Sequence, residues 1–222
     1  MSKNEQAIQA MKEKDYELAI KLFSEYIDEY PTDPLGYINL SNLFIQLGEY
    51  SHAEKLLKRT IELDQSAASA YYTLGNNYFE QNLYDDAKQQ YELALHYGLK
   101  DSDVYYMIGL TLNKQSLFLL AIPYLLRATE LAPEDIEKQF QYGLTLAKAN
   151  YVDEAEHIFT HVLKSDSKHV DALYNLGVIY FNRGNYSLSL SYFDQALQLN
   201  PNHTLAKNGK QNVENAILEK RD

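Results

Sequence analysis

Two histidines, His157 and His161, have the spacing of side chains that can share a metal ion. Residues four apart lie on one face of a helix, and Glu154 precedes them by about one turn. Two imidazoles and a carboxylate can bind zinc. The apolar residues Ala155 and Phe159 of the same segment, however, predict that the histidines lie on the outward side of this helix. We therefore predict a solvated pair and no metal site.

Signatures of an enzyme active site are missing from the rest of the sequence. It has no glycine-rich phosphate-binding loop, no nucleophile-elbow serine motif and no histidine placed beside a nucleophile. It also has no cysteine, which excludes disulfides, zinc–thiolate sites and a thiol nucleophile. We therefore expect a protein without catalytic residues and without a cofactor.

The charge of the chain limits the class of partner. Lysine and arginine number 20 against 31 acidic residues, so the formal net charge is −11, and no basic cluster occurs. The 20 tyrosines could stack on bases, but the phosphate neutralisation that dominates nucleic-acid affinity is missing. Residues 1–15 lack the apolar run of a signal peptide, and the longest apolar stretch, residues 117–126, is too short to span a bilayer. We expect a cytoplasmic protein that binds no nucleic acid and inserts nothing into a membrane.

The elements that carry these side chains repeat every 34 residues. A small residue recurs at this interval without insertion or deletion, at Ala19, Ala53, Ala87, Ala121, Ala155 and Ser189. Apolar or aromatic residues three before and four after each of them predict an amphipathic helix. Twelve residues upstream of each member, a second small series predicts a second helix, at Ala7, Ser41, Gly75, Gly109, Gly143 and Gly177. Small residues in both series allow the paired helices to approach closely.

Turn and stop residues complete the repeat. Between the helices lie residues that tolerate a left-handed backbone, Gly48, Asn82, Asn150 and Gly184, and prolines follow three of the second helices, at Pro31, Pro133 and Pro201. This pattern resembles the tetratricopeptide repeat (TPR) family, and the chain as a whole is similar to free-standing bacterial members. The resemblance implies an all-α, right-handed TPR superhelix. We expect a single domain over residues 1–222, with repeats at 1–33, 34–67, 68–101, 102–135, 136–169 and 170–203, and a capping helix at 204–222.

The resemblance also implies a partner site, because the first helices of TPR units line a concave surface. We expect a groove for a protein or peptide segment, extended or helical, lined by Ile38, Asn39, Asn42, Tyr72, Asn76, Phe79, Tyr106, Asn113, Phe140, Tyr174, Asn175 and Phe181. Aromatic rings offer contact area, and asparagine amides can pair with a peptide backbone without reading its sequence. The alternative is that each ring packs between successive first helices, with its hydroxyl in water.

Repeat four differs on the outer side of its second helix. Other units have charged or polar residues there, whereas this unit has Leu119 and Leu120, followed by Pro123. One interpretation is a convex docking surface, through which this chain, as a regulatory or chaperone-like subunit, binds a folded partner or weakly self-associates. The other is that Pro123 bends the helix and the leucines fold under it.

Overall fold

The computed structural model describes residues 1–219, and its regular structure in this part of the chain is entirely helical. Thirteen α-helices follow one another without a β-strand between them. In chain order they are α1 Lys3–Lys12, α2 Tyr16–Glu29, α3 Pro34–Gln46, α4 Tyr50–Leu63, α5 Ala68–Glu80, α6 Tyr84–His96, α7 Ser102–Lys114, α8 Phe118–Leu131, α9 Ile136–Lys148, α10 Val152–Ser165, α11 Val170–Asn182, α12 Tyr186–Leu199 and α13 Thr204–Glu219. Within these residues, no helix is both long and apolar enough to cross a membrane.

The order of the helices matches the predicted repeats. Odd-numbered helices up to α11 are the predicted first helices, even-numbered helices up to α12 are the second, and α13 follows alone. The helices fall into two compact units, α1–α7 in residues 1–117 and α8–α13 from residue 118 onward. The predicted all-α architecture of helix pairs is therefore confirmed.

Each repeat turns between its two helices through a residue in the left-handed region. The backbone φ angles lie between 60° and 77° at Lys14, Gly48, Asn82, Ser116, Asn150 and Gly184. Two of these residues, Lys14 and Ser116, adopt this conformation although a side chain disfavours it. The turn is closed in the same way in each unit: the backbone N–H of Leu83, for example, donates to the carbonyl of Tyr78 at 2.9 Å. The repeat register therefore determines the turn even where the residue type does not favour it.

Small residues allow each helix pair to close around one large side chain. All members of the alanine series that ends at Ser189 are fully buried. Gly75 of α5 shows why its position must be small, because a Cβ there would lie 2.5 Å from Cε1 of Tyr91 in α6. The Tyr91 ring is therefore fixed between the two helices, packed directly on the backbone of α5.

The last helix covers the apolar side of repeat six. Ala206 and Val213 of α13 are fully buried and belong to one cluster with Phe193 of α12. The ammonium of Lys210 in α13 adds a 2.7 Å ion pair with Asp194. This packing agrees with the predicted capping helix, of which residues 220–222 lie outside the described part of the chain.

Candidate functional site

A pocket of about 700 Å³ lies on the first helices of the unit that spans residues 1–117. We call it the α3–α5 pocket, since these helices supply most of its lining. Its lining includes Asn42, Ile45, Tyr72, Asn76, Glu80 and Met107. Three predicted site residues, Asn42, Tyr72 and Asn76, are therefore brought together in one concave site.

The side chain of Asn76 is oriented from below by Tyr91. The Tyr91 hydroxyl donates to Oδ1 of Asn76 at 2.9 Å. Burial raises the pKa of Tyr91, and the charges of Tyr72 and Glu80 raise it further, so the phenol keeps its proton and remains a donor. Because Oδ1 of Asn76 accepts this bond, its Nδ2 group is the part of the amide left to donate to a ligand.

An apolar surface lies beside this amide. The ring of Tyr72 is half-buried, and its centroid lies 5.8 Å from that of Tyr91, at an interplanar angle of 47°. Ile45 of α3 and Met107 of α7, also half-buried, line the same pocket. Tyrosine and methionine present large contact areas that adapt to the shape of a bound side chain. The pocket thus combines an apolar surface with a fixed hydrogen-bond donor.

The charge of the pocket comes from Glu80. This exposed glutamate in the last turn of α5 is a lining residue, and no lysine or arginine belongs to the lining that the structure describes. A carboxylate near an apolar surface attracts cationic groups, and the net charge of −11 reinforces that preference over longer distances. The pocket is therefore suited to a neutral or basic ligand.

Other predicted residues of this unit lie outside the pocket lining, at Ile38, Asn39, Phe79, Tyr106 and Asn113. The contacts of three of them lie within the repeats. Asn39 donates from Nδ2 to Oδ1 of the buried Asn4 at 2.9 Å, and the Phe79 ring lies 5.7 Å from that of Tyr84. Ile38 packs against the cluster around Leu57 and Leu74. These contacts match the alternative interpretation, in which predicted groove residues pack within the repeats.

The remaining predicted groove residues belong to the unit that begins at residue 118. Phe140 is only 6% exposed, and its ring centroid lies 4.5 Å from that of His169. Tyr174 is half-buried, with its ring 5.3 Å from that of His203. Asn175 donates from Nδ2 to the carbonyl of Asp171 at 2.7 Å, and Phe181 packs against Tyr186 at 5.9 Å. Phe140 is thus a packing residue in this structure, unlike the half-buried Tyr174, Asn175 and Phe181.

The outer leucines of α8 are exposed rather than folded under the helix. Leu119 is 64% exposed and Leu120 is 58% exposed, while α8 continues through the exposed Pro123 to Leu131. Leu126, which is 40% exposed, was not predicted as part of this surface. Its position seven residues after Leu119 places it on the same helical face, so helical periodicity could have identified it.

The two histidines are exposed, and one of them has a defined partner. Nδ1 of His161 lies 2.8 Å from Oε1 of Gln139. Within residues 1–219, no group of three or more histidine, cysteine, aspartate or glutamate side chains is placed to hold a metal ion. The carboxylate of Glu154 and the ring of His157 instead line a groove with Tyr142 and Ile158.

Repeated helix pairs with buried small residues and left-handed turns define a class of proteins that present binding surfaces on stacked helices. Models of the tetratricopeptide repeat match residues 10–74, 72–136 and 170–203. No curated protein sequence matches the chain significantly. The chain belongs to the tetratricopeptide repeat family. Such domains bind protein or peptide partners, so the chain is a protein-interaction scaffold.

Solved structures support the same assignment. The chain is similar to YrrB, a TPR protein with an unusual peptide-binding site, at 40% identity over 85% of this chain and 97% of YrrB, with a TM-score of 0.76. PilF of Pseudomonas aeruginosa shares the fold at 16% identity, covering 95% of this chain and 96% of its own, with a TM-score of 0.81. MamA shares it at 20% identity, with coverage of 73% and 89% and a TM-score of 0.68.

Proposed function

We propose that this protein binds an extended segment of a partner protein in the α3–α5 pocket. The observation that supports this most directly is the bond from Tyr91 that turns the Asn76 amide into an oriented donor beside Tyr72. An extended segment offers backbone carbonyls at regular intervals, and Asn76 donates to one of them. Asn42, exposed on α3, supplies a second amide in the same lining. Amides of this kind bind a backbone without selecting its sequence.

Side-chain selection comes from the apolar surface and from Glu80. An apolar residue of the segment packs on Tyr72, Ile45 and Met107, where removal of water contributes most of the affinity. A lysine or arginine next to that residue pairs with Glu80. YrrB, which is 40% identical to this chain, has a peptide-binding site, and this likeness supports a peptide as the class of ligand.

The test selects ligands from a library of random peptides displayed on phage, with the wild-type chain as bait. We expect the tightest peptide to contain an apolar residue beside a basic one. Replacing Tyr72→Ala should weaken that peptide about thirtyfold, or about 2 kcal/mol, because an aromatic ring at the centre of the contact is lost. Tyr151→Ala, which removes an exposed tyrosine of the other unit, serves as the control and should bind as the wild type does. If folded Tyr72→Ala retains every selected peptide at full affinity, the proposed site is wrong.

A second function is favoured by the exposure of Leu119 and Leu120. Adjacent exposed leucines on an outer helix offer a docking surface for a folded partner or for a second copy of the chain. A variant with Leu119→Asp and Leu120→Asp should abolish any self-association seen by sedimentation at high concentration. A wild type that stays monomeric, and a variant that keeps all partners, would exclude this function.

A further inference from the structure

A second groove lies in the unit that begins at residue 118, between the helices α8 and α10. Two adjoining cavities, of about 500 Å³ and about 250 Å³, share the lining residues Tyr142, His157 and Ile158. The end of α8 contributes Pro133 from its following turn, and α9 contributes Tyr142. We call this continuous depression the α8–α10 groove. It is formed by residues of one compact unit and shares none with the α3–α5 pocket.

The floor of the α8–α10 groove is apolar. Tyr142, Leu146 and Ile158 line the larger cavity, and Pro133 extends the apolar surface into the smaller one. Tyr142 and Ile158 are half-buried and also pack against the core around Phe159. Because the core holds these side chains in place, they lose little conformational freedom when a ligand binds to them.

The sides of the groove are acidic. Glu130, Asp153 and Glu154 line it, and the described lining contains no lysine or arginine. Burial raises the pKa of the Tyr142 phenol, and the nearby charges of Glu154 and Glu130 raise it further. Both carboxylates therefore act on the ring hydroxyl, one from α10 and one from α8. An aromatic ring near two carboxylates is a favourable place for a cation.

The carboxylates differ in how far they are already paired. Asp153 pairs with Arg183, and one oxygen of Glu130 accepts from Nη1 of Arg127 at 2.8 Å. Glu154, by contrast, is exposed on α10, and the ion pairs recorded for residues 1–219 do not include it. The groove thus keeps an acidic side chain available for a cation from outside the chain.

The exposed apolar face of α8 leads into this groove. Leu126 and Glu130 lie four residues apart, which places them along one face of α8, and Pro133 follows in the turn after this helix. Leu119 precedes Leu126 by seven residues on the same face. A ligand that fills the groove can therefore extend its apolar contacts along α8.

We propose that the α8–α10 groove docks a segment of another protein in which a lysine or arginine is flanked by apolar residues. The apolar side chains pack on Leu146 and Ile158, and the cation lies over Tyr142 between Glu130 and Glu154. Because the lining is acidic, a basic segment of another protein fits this groove better than a second copy of the chain, whose net charge is −11. This site goes beyond the proposed function and stands independently of it.

The test uses the full chain and two capped tripeptides, N-acetyl-leucyl-arginyl-leucine amide and its analogue with citrulline in place of arginine. Citrulline keeps the size of arginine but has no charge. Titrations followed by backbone amide NMR identify the residues that respond. We expect the arginine peptide to shift the resonances of Glu130, Tyr142, Glu154 and Ile158, and to bind about fivefold more tightly than the citrulline peptide.

Two charge-matched variants separate this site from general attraction to an acidic protein. Glu130→Gln with Glu154→Gln should remove the preference for arginine. Glu17→Gln with Glu62→Gln removes the same charge away from the groove and is the control. Glu62 is matched to Glu130, because each pairs with an arginine three residues before it. The control variant should keep the preference for arginine. Equal affinity of both peptides for the wild type, or unchanged resonances at the groove, would overturn the proposal. So would self-association that the first variant abolishes, because the groove would then hold a second copy.

Discussion

The α3–α5 pocket and the α8–α10 groove are both apolar and acidic, yet they offer different chemistry to a ligand. The pocket lies on first helices and contains an amide donor held by Tyr91, which suits the backbone of a peptide. The groove is lined by the second helices α8 and α10 together with α9, and it has carboxylates around Tyr142, which suits a cationic side chain. One repeat scaffold thus presents two kinds of surface chemistry, because substitutions that preserve the packing still change the exposed side chains.

The oriented amide of the pocket depends on a single repeat position. The large residue four after the small residue of each second helix is Phe23, Leu57, Tyr91, Leu125, Phe159 or Phe193. In all six repeats this side chain is buried, so its packing role is the same. Only Tyr91 has a hydroxyl group, and that hydroxyl reaches Asn76. A core position therefore determines the orientation of a surface amide.

The largest expected effect is a loss of stability from overpacking at the α5–α6 contact. Gly75→Ala should lower the free energy of unfolding by about 2 kcal/mol, because the new Cβ would lie 2.5 Å from the Tyr91 ring. Gly143→Ala, where the nearest side-chain atoms are 3.0 Å away, should cost clearly less. Hydrogen exchange of α5 and α9 measures both local effects. Equal protection in the two variants would show that the Tyr91 contact is no tighter than its counterpart.

The next largest expected effect is a loss of peptide affinity without a change in core packing. Tyr91→Phe removes only the hydroxyl that orients Asn76, so the peptide selected for the α3–α5 pocket should bind about tenfold more weakly. Tyr78→Phe is the matched control, because its hydroxyl donates to Glu54 at 3.0 Å, away from the pocket lining. Calorimetry should give wild-type affinity for Tyr78→Phe. A Tyr91→Phe variant with unchanged affinity would remove the proposed role of the hydroxyl.

A smaller effect, on stability at high pH, tests the hydrogen bond between Tyr180 and Glu156 in the unit that begins at residue 118. The hydrogen bond to Glu156, together with burial, raises the pKa of Tyr180 to about 12 in the folded chain. An unfolded tyrosine titrates near pH 10, so the stabilisation is complete below pH 10 and is lost as the pH rises from about 10 to about 12. Tyr180→Phe should therefore flatten the loss of stability of α11 and α12 over this window, measured by thermal melting. An unchanged pH profile would argue against the Tyr180–Glu156 bond.

The smallest effect is electrostatic. Glu80→Gln should weaken the pocket peptide by only about threefold, since exposed charges contribute little to affinity, and should reduce the dependence of the association rate on salt. Stopped-flow measurements at two salt concentrations would detect both changes. Glu62→Gln is a control with the same charge change, and it should leave both quantities as they are in the wild type.

The helix pairs and their turns could be predicted from the sequence because they follow local rules. The 34-residue register located the turns, and it held at Lys14 and Ser116, whose residue types alone would not have predicted a left-handed backbone. Small residues marked the helix contacts, as the buried Ala87 and Ser189 illustrate.

The site was harder to predict, because it depends on how successive repeats stack. Asn42, Tyr72 and Asn76 were identified from the free face of each first helix, whereas Glu80 and Met107 were missed. Met107 belongs to the following repeat, and residue spacing alone does not show that its side chain lies at the pocket.

Two further features could not be read from residue types alone. Phe140 follows the same spacing as Tyr72 but is buried against His169, since neighbouring side chains decide its exposure. Tyr91 belongs to the series of large apolar residues of the second helices, so the sequence did not indicate a role for its hydroxyl. Its hydrogen bond to Asn76 is known only from the structure.

The side-chain amide protons of Asn76 offer the most direct test of peptide binding in the α3–α5 pocket. The NMR resonances of this group can be followed while the selected peptide is added to the wild-type chain and to Tyr91→Phe. We expect one Nδ2 proton to move downfield as it donates to a peptide carbonyl, with the same Kd as the whole complex, and we expect a smaller shift in Tyr91→Phe. An Asn76 amide that keeps its free resonance positions when the peptide is fully bound would contradict this expectation.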